Sequence, residues 1–158
     1  MEIDKAFLEI CKEFNKNGVK YVVIGGFAMI MHGLPRTTVD IDFFIDNSSE
    51  NIEKIRWSLK KVFNDVTVDE ITPEDIKKYS VIRYGTNEGF YIDIISQLGT
   101  VASYEDVSKN TDIFEIEGID MPVCNIDMMI KLKQTTRHRD LADLEFLRYK
   151  KDKDNQSK

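Results

Sequence analysis

Phe7, Ile10, Cys11 and Phe14 recur at i, i+3, i+4 and i+7, the spacing of one helical face. They predict an amphipathic helix over residues 4–17, stopped by Asn17-Gly18. The pattern then changes period. Val19 to Ile24 is an apolar, β-branched run and reads as a buried strand. Gly25-Gly26 ends it. Ala28 to His32 has room for a turn or two of helix before Gly33-Leu34-Pro35 stops it. Val39 to Ile45 reads as a second strand, with Asp40 and Asp42 on one face and Val39, Ile41 and Phe43 on the other.

Ser48 or Ser49 caps a third helix, whose buried stripe is Ile52, Ile55, Leu59 and Val62. Trp57 lies off that stripe and reads as a partly exposed packing residue rather than a base-stacking platform. Val66 to Ile71 alternates apolar and acidic residues and predicts an edge strand. Thr72-Pro73-Glu74-Asp75 is a helix start. Ser80–Tyr84 and Phe90–Ile95 predict a hairpin around Gly85 to Gly89. A helical turn is expected at Tyr104 to Val107. A second hairpin follows, Asp112–Glu117 with Ile119–Cys124. Asn125 or Asp127 caps the next helix, through Met128, Met129, Ile130 and Leu132. Thr135-Thr136 marks a break. A last helix turns Leu141, Leu144 and Leu147 inward. These elements amount to a mixed α/β (α+β) domain, residues 1–150, followed by a charged and frayed tail, 151–158.

The strand with Asp40 and Asp42 carries the chemistry. Residues i and i+2 of a strand share a face, so the two carboxylates stand side by side. Two such anions repel unless one protonates or a cation lies between them. The pair is either solvated at a strand end or a site for a hard divalent ion, Mg²⁺ or Mn²⁺. Gly25-Gly26 is either a tight strand-to-helix turn or a cradle whose backbone N–H groups face a phosphate. Asp93 is a lone acid in the apolar strand Phe90–Ile95. It is either paired with Arg83 or a lysine, or a third carboxylate beside Asp40 and Asp42.

Ile24-Gly25-Gly26, thirteen intervening residues and Asp40-Ile41-Asp42-Phe43 resemble the signature of the DNA polymerase β-like nucleotidyltransferase superfamily. The inner segment Gly-Phe-Ala…His-Gly-Leu-Pro-Arg-Thr-Thr-Val-Asp-Ile-Asp resembles the small bacterial and archaeal nucleotidyltransferases related to abortive-infection toxins. Gly118 to Leu147 resembles the close of the same proteins, through Ile130-Lys-Leu-Lys133 and Arg137-His-Arg139-Asp140-Leu-Ala-Asp143-Leu. This chain has Arg139 where lysine is usual. The resemblance implies a small mixed twisted sheet flanked by helices. It implies transfer of a nucleoside monophosphate from an NTP to an acceptor hydroxyl of RNA, protein or a small molecule. It implies Asp40, Asp42 and Asp93 as catalytic and metal ligands. Gly25, Gly26, Arg36, Lys133, Arg137 and Arg139 would then be nucleotide-binding, with Lys131 an alternative to Lys133. A tRNA or protein acceptor, ATP or another NTP, and an antitoxin partner fit that role. A catalytically silent nucleotide-binding or interaction module on the same fold is the alternative.

Composition changes this picture little. The 158 residues are 42% hydrophobic and 32% charged, ordinary for one soluble domain. Net charge is −6, but residues 1–130 carry −10 and residues 131–158 carry +4. An acidic body argues against a general nucleic-acid coat; a basic C-terminal stretch suits either a solvated helix face or a polyphosphate. Cys11 and Cys124 fit buried thiols of a reducing, cytoplasmic setting. The charged N-terminus does not resemble a signal peptide, and no apolar run approaches membrane-spanning length. His32 reads as a packing residue and His138 as exposed.

Overall fold

The computed structural model describes residues 1–100, 102–133 and 138–156, with the side chains of residues 138–140 outside that description. A six-stranded sheet has the order β3-β4-β2-β1-β8-β7. Its centre is β1 (Tyr21–Ile24), antiparallel to β2 (Asp40–Ile45) and parallel to β8 (Ile119–Cys124). β2 runs parallel to β4 (Tyr91–Ile95), and β4 is antiparallel to the edge strand β3 (Val81–Gly85). β7 (Thr111–Ile116) forms the other edge.

Helix α1 (Ile3–Asn17) buries Ala6, Phe7, Ile10, Cys11 and Phe14, the stripe expected from the sequence. Phe7 stacks on Phe27, and Phe14 meets Phe43 and Tyr21 edge-on. Ile41, Phe43 and Ile45 therefore carry one face of β2 into the main core. Val39 does not join them: it lies before the strand and is 66% exposed. Helix α3 (Ser49–Phe63) starts at Ser48, whose hydroxyl accepts from the Asn51 backbone N–H, and packs on α1.

Short helix α2 (Gly25–Met31) begins at the two glycines themselves, three residues earlier than the sequence predicts. Residues 66–70 are a 3₁₀ turn, not an edge strand. Alternation alone could not hold a strand there: Asp65 accepts from the Thr67 backbone N–H and closes the turn, and Val68 is the inward residue. Helix α4 (Pro73–Tyr79) follows, capped by Thr72. A two-stranded ladder, β5 (Gln97–Leu98) with β6 (Ala102–Ser103), was not legible in the polar stretch before helix α5 (Tyr104–Ser108). Asn125 caps α6 (Ile126–Leu132) by accepting from the Met128 backbone N–H.

Helix α7 (His138–Gln156) buries Leu144 and Leu147, but Leu141 faces outward. The helix also continues beyond Lys150 to Gln156, through the stretch expected to fray. Lys151 on this stretch places its ammonium 2.5 Å from Asp127 Oδ1, an exposed ion pair. Thr135-Thr136 lies outside the described residues. Both cysteines are buried, and burial pushes each thiol up to about 12. No described helix is long and apolar enough to cross a membrane.

Candidate active site

Strand register builds the site. Asp42 pairs with Asp93 across β2 and β4, and Asp93 pairs with Arg83 across β4 and β3. One row further, Asp40 pairs with Tyr91 and Tyr91 with Gly85. Residues two apart in a strand share a face, so Asp40, Asp42, Asp93, Arg83 and Tyr91 project together from one side of the sheet. The three acids expected from the sequence are thus neighbours on adjacent strands.

Asp93 is 9% exposed and is clasped by Arg83. Arg83 Nε donates to Asp93 Oδ1 at 2.9 Å, and Nη2 donates to Oδ2 at 3.0 Å. The same Nη2 lies 3.5 Å from Asp40 Oδ2, and the guanidinium stacks 4.7 Å over the Tyr91 ring. The two sequence readings of Asp93 therefore coincide: it pairs with Arg83, and it stands beside Asp40 and Asp42.

Asp42 lies deeper. Burial pushes its carboxyl up to about 7, helped by the adjacent Asp93 and then Asp40, while Lys133 pulls it back. Gly25 presses against it. With φ of +69°, Gly25 occupies a left-handed conformation, and a Cβ placed there would fall 2.1 Å from Asp42 Oδ2. A Cβ on Gly26 would fall 2.9 Å from Thr38 Oγ1. The glycines thus let the helix start fold down onto the carboxylate strand.

A cleft of about 270 Å³ opens beside this contact, lined by Ile24, Gly25, Asp42, Ile95, Leu98, Met129, Leu132 and Lys133. Lys133 caps α6 and reaches the cleft, whereas Lys131 is exposed and acts on Asp106. Lys133 Nζ also lies 3.1 Å from Asp143 Oδ2. Asp143, on α7, is 4% exposed and receives Arg36 as well, whose Nη1 donates to Oδ1 at 3.0 Å and Oδ2 at 2.9 Å. Arg36 lines a different hollow, among Phe7, Phe27 and Met31. The structure does not bring it to the cleft. Arg137 lies outside the described residues, and the side chain of Arg139 does too.

Sequence reasoning missed two members of this constellation. In the sequence Arg83 reads only as a partner for Asp93, and nothing singles out Tyr91. The signal for both was the alternation Arg83, Gly85 and Tyr91, Asp93 across the hairpin, legible once its register against β2 is known. Asp143 was visible in the C-terminal motif, but its partners were not.

The donor set suits a hard cation in part. Asp40 and Asp42 offer oxygen only, and Asp40 Oδ1 is buried with no hydrogen-bond partner. Among the described residues no three acidic, histidine or cysteine side chains close around one point as a metal site. Asp93 is committed to Arg83 instead. The β2 pair offers two carboxylates of the kind a hard divalent ion takes, with Asp40 Oδ2 and both Asp93 oxygens facing the Arg83 guanidinium.

His32 is remote from this chemistry: its Nε2 is 2.8 Å from the Cys124 carbonyl oxygen, and its ring meets Phe114 edge-on.

Residues 8–154 match the model of a family described as nucleotidyl transferase AbiEii toxin, type IV toxin–antitoxin system. The chain belongs to that family. The AbiEii assignment agrees with the superfamily signature read from Ile24 to Phe43. Solved structures share the fold. Lincosamide antibiotic adenylyltransferase LnuA, crystallised with lincomycin, is 17% identical, with 91% of this chain and 95% of that one covered at a TM-score of 0.60. TM1012 from Thermotoga maritima, described as a candidate nucleotidyltransferase, is 16% identical, with 96% and 92% covered at 0.53. JHP933 from Helicobacter pylori is 21% identical, with 91% and 63% covered at 0.51. A search of the curated proteins returned no match.

Proposed function

We propose that the protein moves a nucleoside monophosphate from an NTP to an acceptor hydroxyl of RNA, protein or a small molecule, with pyrophosphate as the leaving group. The observation that carries this reading is the carboxylate row: Asp40 and Asp42 on β2 and Asp93 in register on β4, beside the Gly25 helix start. These three acids would hold Mg²⁺ or Mn²⁺, which would lower the pKa of the acceptor hydroxyl and offset triphosphate charge.

The chain's own groups supply the rest. The first N–H groups of α2 have no partners within the helix and would face phosphate oxygens. Lys133, at the mouth of the cleft, would offset charge on the departing pyrophosphate. Arg137 and Arg139 take the same role through the C-terminal motif. Arg36 acts at one remove, by fixing the Asp143 carboxylate that Lys133 also meets. Ile95, Leu98, Met129 and Leu132 form an apolar wall that keeps water from one side of the cleft.

The family description supports a biological role as the toxin of a toxin–antitoxin pair, with an antitoxin as partner. The Arg83 clasp on Asp93 favours a second reading, a nucleotide-binding module without turnover. One experiment separates the two. The protein is incubated with each α-labelled NTP, Mg²⁺ and total RNA or lysate. Label transferred by wild type and not by Asp40→Asn or Asp42→Asn supports catalysis. Nucleotide binding without transfer of any label supports the silent module.

A further inference from the structure

Arg83 occupies the place where the acids most need positive charge, and it fills that place incompletely. It makes two charge-assisted bonds to Asp93 and a longer contact to Asp40 Oδ2. It leaves Asp40 Oδ1 buried and unbonded. Asp42 gets no ion pair from it; the Arg83 ion pairs are with Asp93 and Asp40. Arg83 thus serves Asp93 and Asp40, while Asp42 is met from the cleft side by Lys133.

We propose that Arg83 is the resident counter-cation of this row and a positioning residue for Asp93, holding Asp93 and Asp40 until a divalent ion enters and then giving them up. The inference rests on the metal-dependent reading above.

Three observations support exchange rather than a permanent strut. First, β3 is an edge strand, and the Arg83 side chain is 53% exposed, so a released guanidinium has solvent beside it. Second, the Tyr91 ring that Arg83 stacks on is itself half-exposed, so the stack is a surface contact rather than a core one. Third, a divalent ion attracts each carboxylate with twice the charge and accepts bare oxygens, so it can use the orphaned Asp40 Oδ1 that Arg83 does not reach. The clasp would also preorganise Asp93: both its oxygens are bonded to Arg83, whose Nη2 also reaches Asp40.

The test compares wild type with Arg83→Gln, which keeps hydrogen-bonding capacity and removes the charge. Mn²⁺ affinity is measured by calorimetry, with and without a non-hydrolysable NTP. Without a competing cation the variant is expected to bind Mn²⁺ about tenfold or more tightly. In wild type, the Arg83 side-chain Nε–H resonance is followed during Mg²⁺ titration. It is expected to move from a bonded, protected position to a solvent-exchanging one. Equal or weaker Mn²⁺ binding by Arg83→Gln overturns the proposal, as does an Nε–H resonance unchanged at Mg²⁺ saturation. Those results leave the metal-dependent reading intact. Absence of Mn²⁺ binding by both proteins, even with nucleotide, overturns that reading and this proposal together.

Discussion

Gly25 and Asp42 are in steric register: the space a Cβ of residue 25 would need is already filled by the Asp42 carboxylate, with Oδ2 2.1 Å from that point. A main-chain turn and a carboxylate from another strand are therefore fitted to each other. The contact sets how closely anything bound at the start of α2 approaches the acids.

Gly25→Ala should fail for two separable reasons. The methyl group collides with Asp42, and φ of +69° disfavours any L side chain by about 1–2 kcal/mol. The single variant is expected to lose about 2–4 kcal/mol in denaturant unfolding. Gly25→Ala combined with Asp42→Ala should recover the steric part and leave the backbone part. Strictly additive losses would show that the two residues do not meet.

Asp42 should make stability depend on pH. Its carboxyl is raised to about 7 in the folded protein, chiefly by burial, against about 4 in an unfolded chain. Between those values the folded state holds a proton that the unfolded state has released. The stabilisation is complete below about pH 4 and is lost as pH rises through about 7. In chelator-treated protein, Asp42→Asn should be more stable than wild type at pH 8, by about 1–3 kcal/mol. The advantage should shrink toward pH 5. Parallel pH profiles for the two proteins would remove Asp42 as the source.

Asp143 ties Arg36 and Lys133 together, at 2.9 Å and 3.1 Å. Asp143→Ala would leave two cations facing each other in a largely buried place, and should cost about 3–5 kcal/mol. Lys133→Ala should weaken NTP binding by about tenfold, because a partly desolvated cation beside phosphate is worth more than a surface one. Lys131→Ala, on the exposed side of α6, should change it little. The comparison is NTP affinity at fixed salt. Equal effects of the two lysines would place the nucleotide away from the cleft.

Much of this molecule was legible in the sequence because its causes are local. The helical stripe of Phe7, Ile10, Cys11 and Phe14, the Ser48 and Thr72 caps and the hairpin of β3 with β4 depend on neighbours a few residues away. That Asp40 and Asp42 share a face follows from the period of a strand alone. The choices left to tertiary structure were those that depend on remote segments. Register across β3, β4 and β2 put Arg83 on Asp93 and Asp93 beside Asp42. The side chain of Asp42 excluded a Cβ at Gly25, seventeen residues earlier in a chain of 158. Packing of α7 turned Leu141 outward while burying Leu144 and Leu147, and it brought Asp143 to Arg36 and Lys133. Periodicity states which residues share a face. Which charge each face then meets is decided only when distant strands and helices close on one another, because Coulomb and steric forces act through space rather than along the chain.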